Sequence, residues 1–196
     1  MHKAARIIHE EHLTISAVLQ ALQHLARMAQ DPRVKADFKA FDAMIHYIDA
    51  FPERLHHPKE DELLFSLLWE KSVESRPLVE KLRAEHVEGA HLVRELERSV
   101  RAFEASWPRG ADEFAASVKA YADFHWAHMT CEEKELLPLA ERVLSEKDWG
   151  AVEKAFEQNE DPIADLREQD FEKLYTRILS LAPAPVGLGE PWKRLA

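Results

Sequence analysis

The chain has 196 residues, enough for one large domain with an appendage and for a real core. Its formal charge of −10 argues against nucleic acid as a partner, because phosphates attract lysine and arginine. Apolar runs such as Leu63-Leu64-Phe65 are far shorter than the ~20 residues that cross a bilayer, so no membrane partner is expected. Only five glycines interrupt a composition rich in Ala, Leu, Glu, Lys and Arg, residues that lose little side-chain freedom in a helix. The first residues lack the apolar core of a signal peptide. The single cysteine, Cys131, forms no internal disulfide. Both features lead us to expect a cytoplasmic protein.

In chain order, apolar side chains at helical spacing run from about His2 to Gln30, with Ile8, Ile15, Val18, Leu19, Leu22 and Leu25 inward. Asp31-Pro32 breaks that run. A second helix is predicted from about Val34 to Lys71, with a kink or short break at Pro52 and Pro58, each of which lacks a backbone donor. The third runs from Leu78 to Ser106, and Trp107-Pro108-Arg109-Gly110 is a turn. The fourth runs from about Asp112 to Leu144. Four helices with short connections imply an all-α, up-down-up-down four-helix bundle over residues 1–145. Residues 146–196 read as a helical extension and tail packing on it. Ser145, three residues before Asp148, is the N-cap of a short helix to about Gln158. Another helix is expected over Phe171–Leu181, followed by an extended tail.

Eleven histidines are the informative feature, because some of them repeat. Glu11-His12 and Glu85-His86 each open a stretch with the same apolar offsets. His56-His57-Pro58-Lys59-Glu60-Asp61 aligns without gaps on His128-Met129-Thr130-Cys131-Glu132-Glu133. His12 and His56 are 44 residues apart, and His86 and His128 are 42 apart. The chain therefore reads as two helical hairpins, each offering one His on its first helix and His-x-x-x-Glu on its second. Residues four apart share a helix face, about 6 Å from each other, so such a His and Glu can reach one ion, or the Glu can bridge to another. Four imidazoles and two carboxylates at one level of a bundle suit iron, manganese or zinc. The repeat reads His-x-x-x-Glu rather than the Glu-x-x-His of ferritin-type proteins.

Over about residues 8 to 140 these motifs resemble the haemerythrin HHE cation-binding family. The resemblance implies a non-haem di-iron centre with His12, His56, Glu60, His86, His128 and Glu132 as metal ligands. Glu60 and Glu132 would be the bridging carboxylates, together with a bridging oxo or hydroxo group. Oxygen-carrying haemerythrins place a His-x-x-x-His pair on the third helix, where this chain has Ala90 four after His86. They also end the fourth-helix motif with an Asp five after its His, where this chain has Glu133. One iron would then lack an imidazole and keep an open position. His91, about 140° further round, is a poor replacement.

The remaining candidates have plainer readings. His2, His24 and His46 are surface or core residues. His57, adjacent to His56, turns away unless it pairs with Asp61 in place of His56 with Glu60. His9 and His125, one turn before His12 and His128, are outer partners of the ligands or occasional ligands. Asp61 and Glu133 are solvated acids, Cys131 is a buried inert thiol, and Phe124 and Trp126 belong to the core.

Three functional classes follow: a binder that senses, carries or stores oxygen, nitric oxide or iron; a di-iron oxidase, peroxidase or iron–sulfur repair enzyme; and a regulatory module tied together by metal. A His-rich, carboxylate-poor pair suits highly oxidised iron less than a Glu-rich one, which favours binding of a small diatomic ligand over enzymatic turnover. Some relatives implicated in such repair carry a cysteine-bearing N-terminal extension, and this sequence has no cysteine ahead of its first helix, so repair is not the expected role. The appended helices offer a surface for a partner or for homodimer formation.

Overall fold

In the computed structural model, which describes residues 2–157, the first helix α1 (Lys3–Met28) carries the expected stripe of Ile8, Ile15, Val18, Leu19, Leu22 and Leu25 inward. The chain then turns, and Asp37 caps the second helix by accepting from the Ala40 N–H at 3.1 Å. That cap places the helix start at Phe38 rather than Val34, because the capping side chain must lie outside the helix it closes.

Helix α2 (residues 38–71) is continuous through both prolines, and the expected kink or short break takes the form of a change of winding. Asp49–His56 and Glu60–Leu64 wind as π-helix, joined by the short α segment His57–Lys59. In the wider turn the His57 N–H donates to the Pro52 carbonyl and the Phe65 N–H to that of Glu60, the i→i+5 pattern of a π-helix. Helix α3 (Arg76–Ser106) begins with Pro77 in its first turn, where no N–H is needed. The turn into α4 uses Gly110 at φ 87°, a left-handed conformation suited to glycine. A Cβ there would also lie 2.8 Å from Ser106 Oγ.

Helix α4 (residues 111–143) repeats the device of α2. It is α-helical to Cys131, π-helical over Glu132–Leu136, and α-helical again over Leu137–Val143. A fifth helix, α5 (Glu146–Glu157), opens with a reciprocal cap: the Ser145 N–H donates to Asp148 Oδ2 at 2.8 Å, and the Asp148 N–H donates to Ser145 Oγ at 3.4 Å. Its Trp149, Val152 and Phe156 are buried, and the helix lies against α1. The helix expected at Phe171–Leu181 and the tail fall outside the described residues.

Two apolar clusters form the core, and each of the first four helices passes through both. One gathers Ile15, Leu22, Phe41, Ile48, Val93, Phe103, Phe114 and Val118. The other gathers Ile8, Leu64, Leu68, Leu82, Leu136, Trp149 and Phe156. Helices α1 and α3 run from the second cluster to the first; α2 and α4 run back. The bundle is therefore up-down-up-down, and the sequence between the clusters on each helix is where the histidines fall. Among the described residues no helix is long and apolar enough to cross a membrane.

Candidate metal centre

Between the two apolar clusters lies a polar layer. Ile8 and Ile15 flank His12 on α1, and Leu82 and Val93 flank His86 on α3. On α2 the layer holds His56 and Glu60, and on α4 His128 and Glu132. All six side chains are buried, none more than 6% exposed.

Within the layer each hairpin brings its own imidazoles together. Nε2 of His12 is 3.1 Å from Nε2 of His56, and Nε2 of His86 is 3.1 Å from Nε2 of His128. The carboxylates lie between the two pairs. Glu132 directs Oε2 toward His12 at 3.3 Å and Oε1 toward His128 at 3.3 Å. Glu60 Oε2 lies 3.5 Å from His56 Nε2 and 3.6 Å from His86 Nε2. One donor atom from each of His12, His56, Glu60 and Glu132 lies within 4.8 Å of the others. The same holds for Glu60, His86, His128 and Glu132. The groups share both glutamates, so the layer offers two adjacent ion positions with two carboxylates common to them.

The donor chemistry fits such ions. All four oxygens of Glu60 and Glu132 are buried without a hydrogen-bond partner, a costly arrangement unless a cation satisfies them. Burial lifts the Glu60 carboxyl well above the usual carboxylate range, and Glu132 beside it adds to the rise. Burial would raise Glu132 as well, but His128, His12 and His86 outweigh it and hold this carboxyl well below that range. Burial depresses His56, whereas for His128 the carboxylates of Glu132 and Glu85 overcome burial and hold the ring at about 9.

Around the layer each of the four rings turns its Nδ1 to a carboxylate, and the pattern follows the repeat. Glu11, just before His12, faces His56 at 2.7 Å; Glu85, just before His86, faces His128 at 2.9 Å. Asp61, just after Glu60, lies 3.1 Å from His86 Nδ1; Glu133, just after Glu132, lies 3.0 Å from His12 Nδ1. A carboxylate on Nδ1 fixes the tautomer that leaves Nε2 free to donate its lone pair. Asp61 and Glu133 are therefore not the freely solvated acids expected of them. In the sequence Glu11 and Glu85 stand only as the repeated residue before His12 and His86; folding reveals that each serves the other helix of its hairpin.

His9 lies one contact further out, with Nδ1 3.0 Å from Glu133, the acid that faces His12. His125 is buried against Glu53, its Nε2 3.2 Å from Oε1. His57 does not turn away: both it and His56 are buried. Glu53 is the residue the sequence reading missed, although it stands one turn before His57 at the i,i+4 spacing that carries the rest of the site. Cys131 is buried; burial pushes its thiol up, and Lys81 Nζ sits 3.2 Å from its sulfur. His46 and His91 are exposed on the helix surfaces.

A search of curated proteins finds no match to this chain. The family model for the haemerythrin HHE cation-binding domain matches residues 3–140, which span the four helices and the whole polar layer. The chain belongs to the haemerythrin HHE cation-binding family.

Proposed function

We propose that this chain holds two iron ions side by side and uses them to bind a diatomic ligand, oxygen or nitric oxide, as a sensor, carrier or store. The observation that carries the reading is the pair of four-residue groups sharing Glu60 and Glu132. His12 and His56 would hold one ion and His86 and His128 the other, with the two carboxylates spanning both. When bound, an iron pair supplies redox-active positions at which small ligands are taken up. The protein contributes the rest. Glu11, Glu85, Asp61 and Glu133 hold the rings in one tautomer, and the apolar clusters exclude bulk water from either end. Full burial of the ligand set favours a partner of two atoms over any larger substrate. Manganese and zinc suit the same donors but lack iron's ligand chemistry toward these gases.

Anaerobic titration of the reduced, iron-loaded chain with nitric oxide, and separately with oxygen, tests the reading. Stoichiometric uptake with new absorption in the near-ultraviolet and visible is expected. Failure to take up either gas would overturn it, and sustained turnover of peroxide would reassign the protein to the enzymes.

A further inference from the structure

Beside the layer lies a second buried polar group. Glu53 sits at its centre: Tyr121 Oη donates to Oε1 at 3.0 Å, His125 Nε2 lies 3.2 Å from the same oxygen, and His57 Nδ1 lies 3.4 Å from Oε2. Helix α3 leaves room for that carboxylate because residue 89 is glycine; a Cβ there would lie 3.1 Å from Glu53 Oε1. His57 itself is 4% exposed and packs its ring on that of His86, with centroids 4.1 Å apart and planes 12° from parallel.

We propose that His57 is a fifth imidazole ligand, given to the ion of His86 and His128, and that Glu53 is the carboxylate that orients it. The inference rests on the paired-ion reading above and adds a residue to it. Ring nitrogens of His57, His86 and His128 lie within 4.8 Å of one another, a three-histidine group in its own right. Like the other four rings, His57 turns Nδ1 toward a carboxylate, here the buried Glu53 at 3.4 Å. The nitrogen left for an ion is therefore Nε2. His125 does not share the arrangement, since it turns Nε2 to Glu53. The sequence places Ala90 where a third-helix donor would stand, and the extra imidazole comes from α2 instead. Both His56 and His57 are buried on α2, His56 against the ring of His12 and His57 stacked on that of His86.

The test loads the full chain with cobalt(II) and records proton NMR spectra in water, where each coordinated imidazole shows one strongly shifted, exchangeable ring N–H. Five such signals are expected. In His57→Gln one disappears and the affinity for the second cobalt falls by about 10-fold or more, while an exposed control, His91→Gln, changes neither. Glu53→Gln keeps the ring and is expected to move one of the five signals alone, so the proposal is decided even where His57→Gln does not fold. Four signals in the wild-type chain, or five that all persist in His57→Gln, would overturn the proposal and leave the ion pair standing. A wild-type chain that binds fewer than two cobalt ions would overturn the paired-ion reading, and this inference with it.

Discussion

Glu132 and Glu85 illustrate two kinds of carboxylate in one cluster. Glu132 has no hydrogen-bond partner for either oxygen and faces an imidazole from each hairpin, whereas Glu85 is a quarter exposed and touches the cluster only through His128 Nδ1. Removing them should therefore have different consequences. Glu132→Ala deprives both ion positions of a donor and is expected to abolish binding of the pair. Glu85→Gln keeps every ligand and is expected to weaken metal binding by about 10- to 100-fold, the usual effect of losing an orienting partner. Calorimetric titration of the two variants with ferrous ion under nitrogen checks both. Equal losses would mean that the distinction between ligand and orienting partner is wrong.

At the scale of the element, the helices differ from generic bundle helices in two respects. The first is π-helical winding at Glu60 and at Glu132, repeat-related positions that both carry shared carboxylates. The prolines announced an irregularity in α2, but the sequence does not say whether a helix will break or widen, since that depends on what packs against it. The second is Gly89 in the middle of α3. An alanine in a helix interior ordinarily stabilises by about 1 kcal/mol. Here the new methyl would press on Glu53, which Tyr121 and His125 hold in place. Gly89→Ala is accordingly expected to destabilise, by about 1–3 kcal/mol as overpacked sites do. Thermal unfolding reads the sign directly, and a raised Tm would show that Glu53 moves freely. Ser145→Ala removes the cap of α5 and is expected to cost about 1 kcal/mol, seen as a lowered Tm.

Helical periodicity made the four-helix order and the six central residues legible, because the heptad-like stripes and the doubled His-x-x-x-Glu are both local in sequence. The carboxylates facing each Nδ1 were not legible, since Glu11 serves His56 and Asp61 serves His86 across helix pairs that only packing brings together. Glu53 lay hidden for the same reason: its partners Tyr121 and His125 are on α4, far along the chain.

Over the described residues the bundle is two apolar layers separated by a charged one, so binding of metal there would be linked to folding. Ions that bind only the folded chain stabilise it by mass action, by about 2.7 kcal/mol at a hundredfold excess over Kd. The protonation states set the pH dependence. In the metal-free chain His128 is held at about 9, above its ordinary value, so its contribution to stability is complete below about 6.5 and is lost as pH rises through 9. The Tm of metal-free protein is expected to fall between pH 7 and 9. Metal must displace the proton from His128, so its apparent affinity is expected to rise over the same range, with protons released on binding. A pH indicator in weakly buffered solution detects the release; no release at pH 7 would contradict the assigned charge of the cluster.

The central claim is that two ions share Glu60 and Glu132. Elemental analysis of protein purified without a histidine tag, after anaerobic loading with ferrous ion and removal of excess, tests it most directly. Two irons per chain are expected in the wild type and none retained in Glu132→Ala. A single iron per chain, or two that Glu132→Ala still retains, would contradict the shared-carboxylate centre.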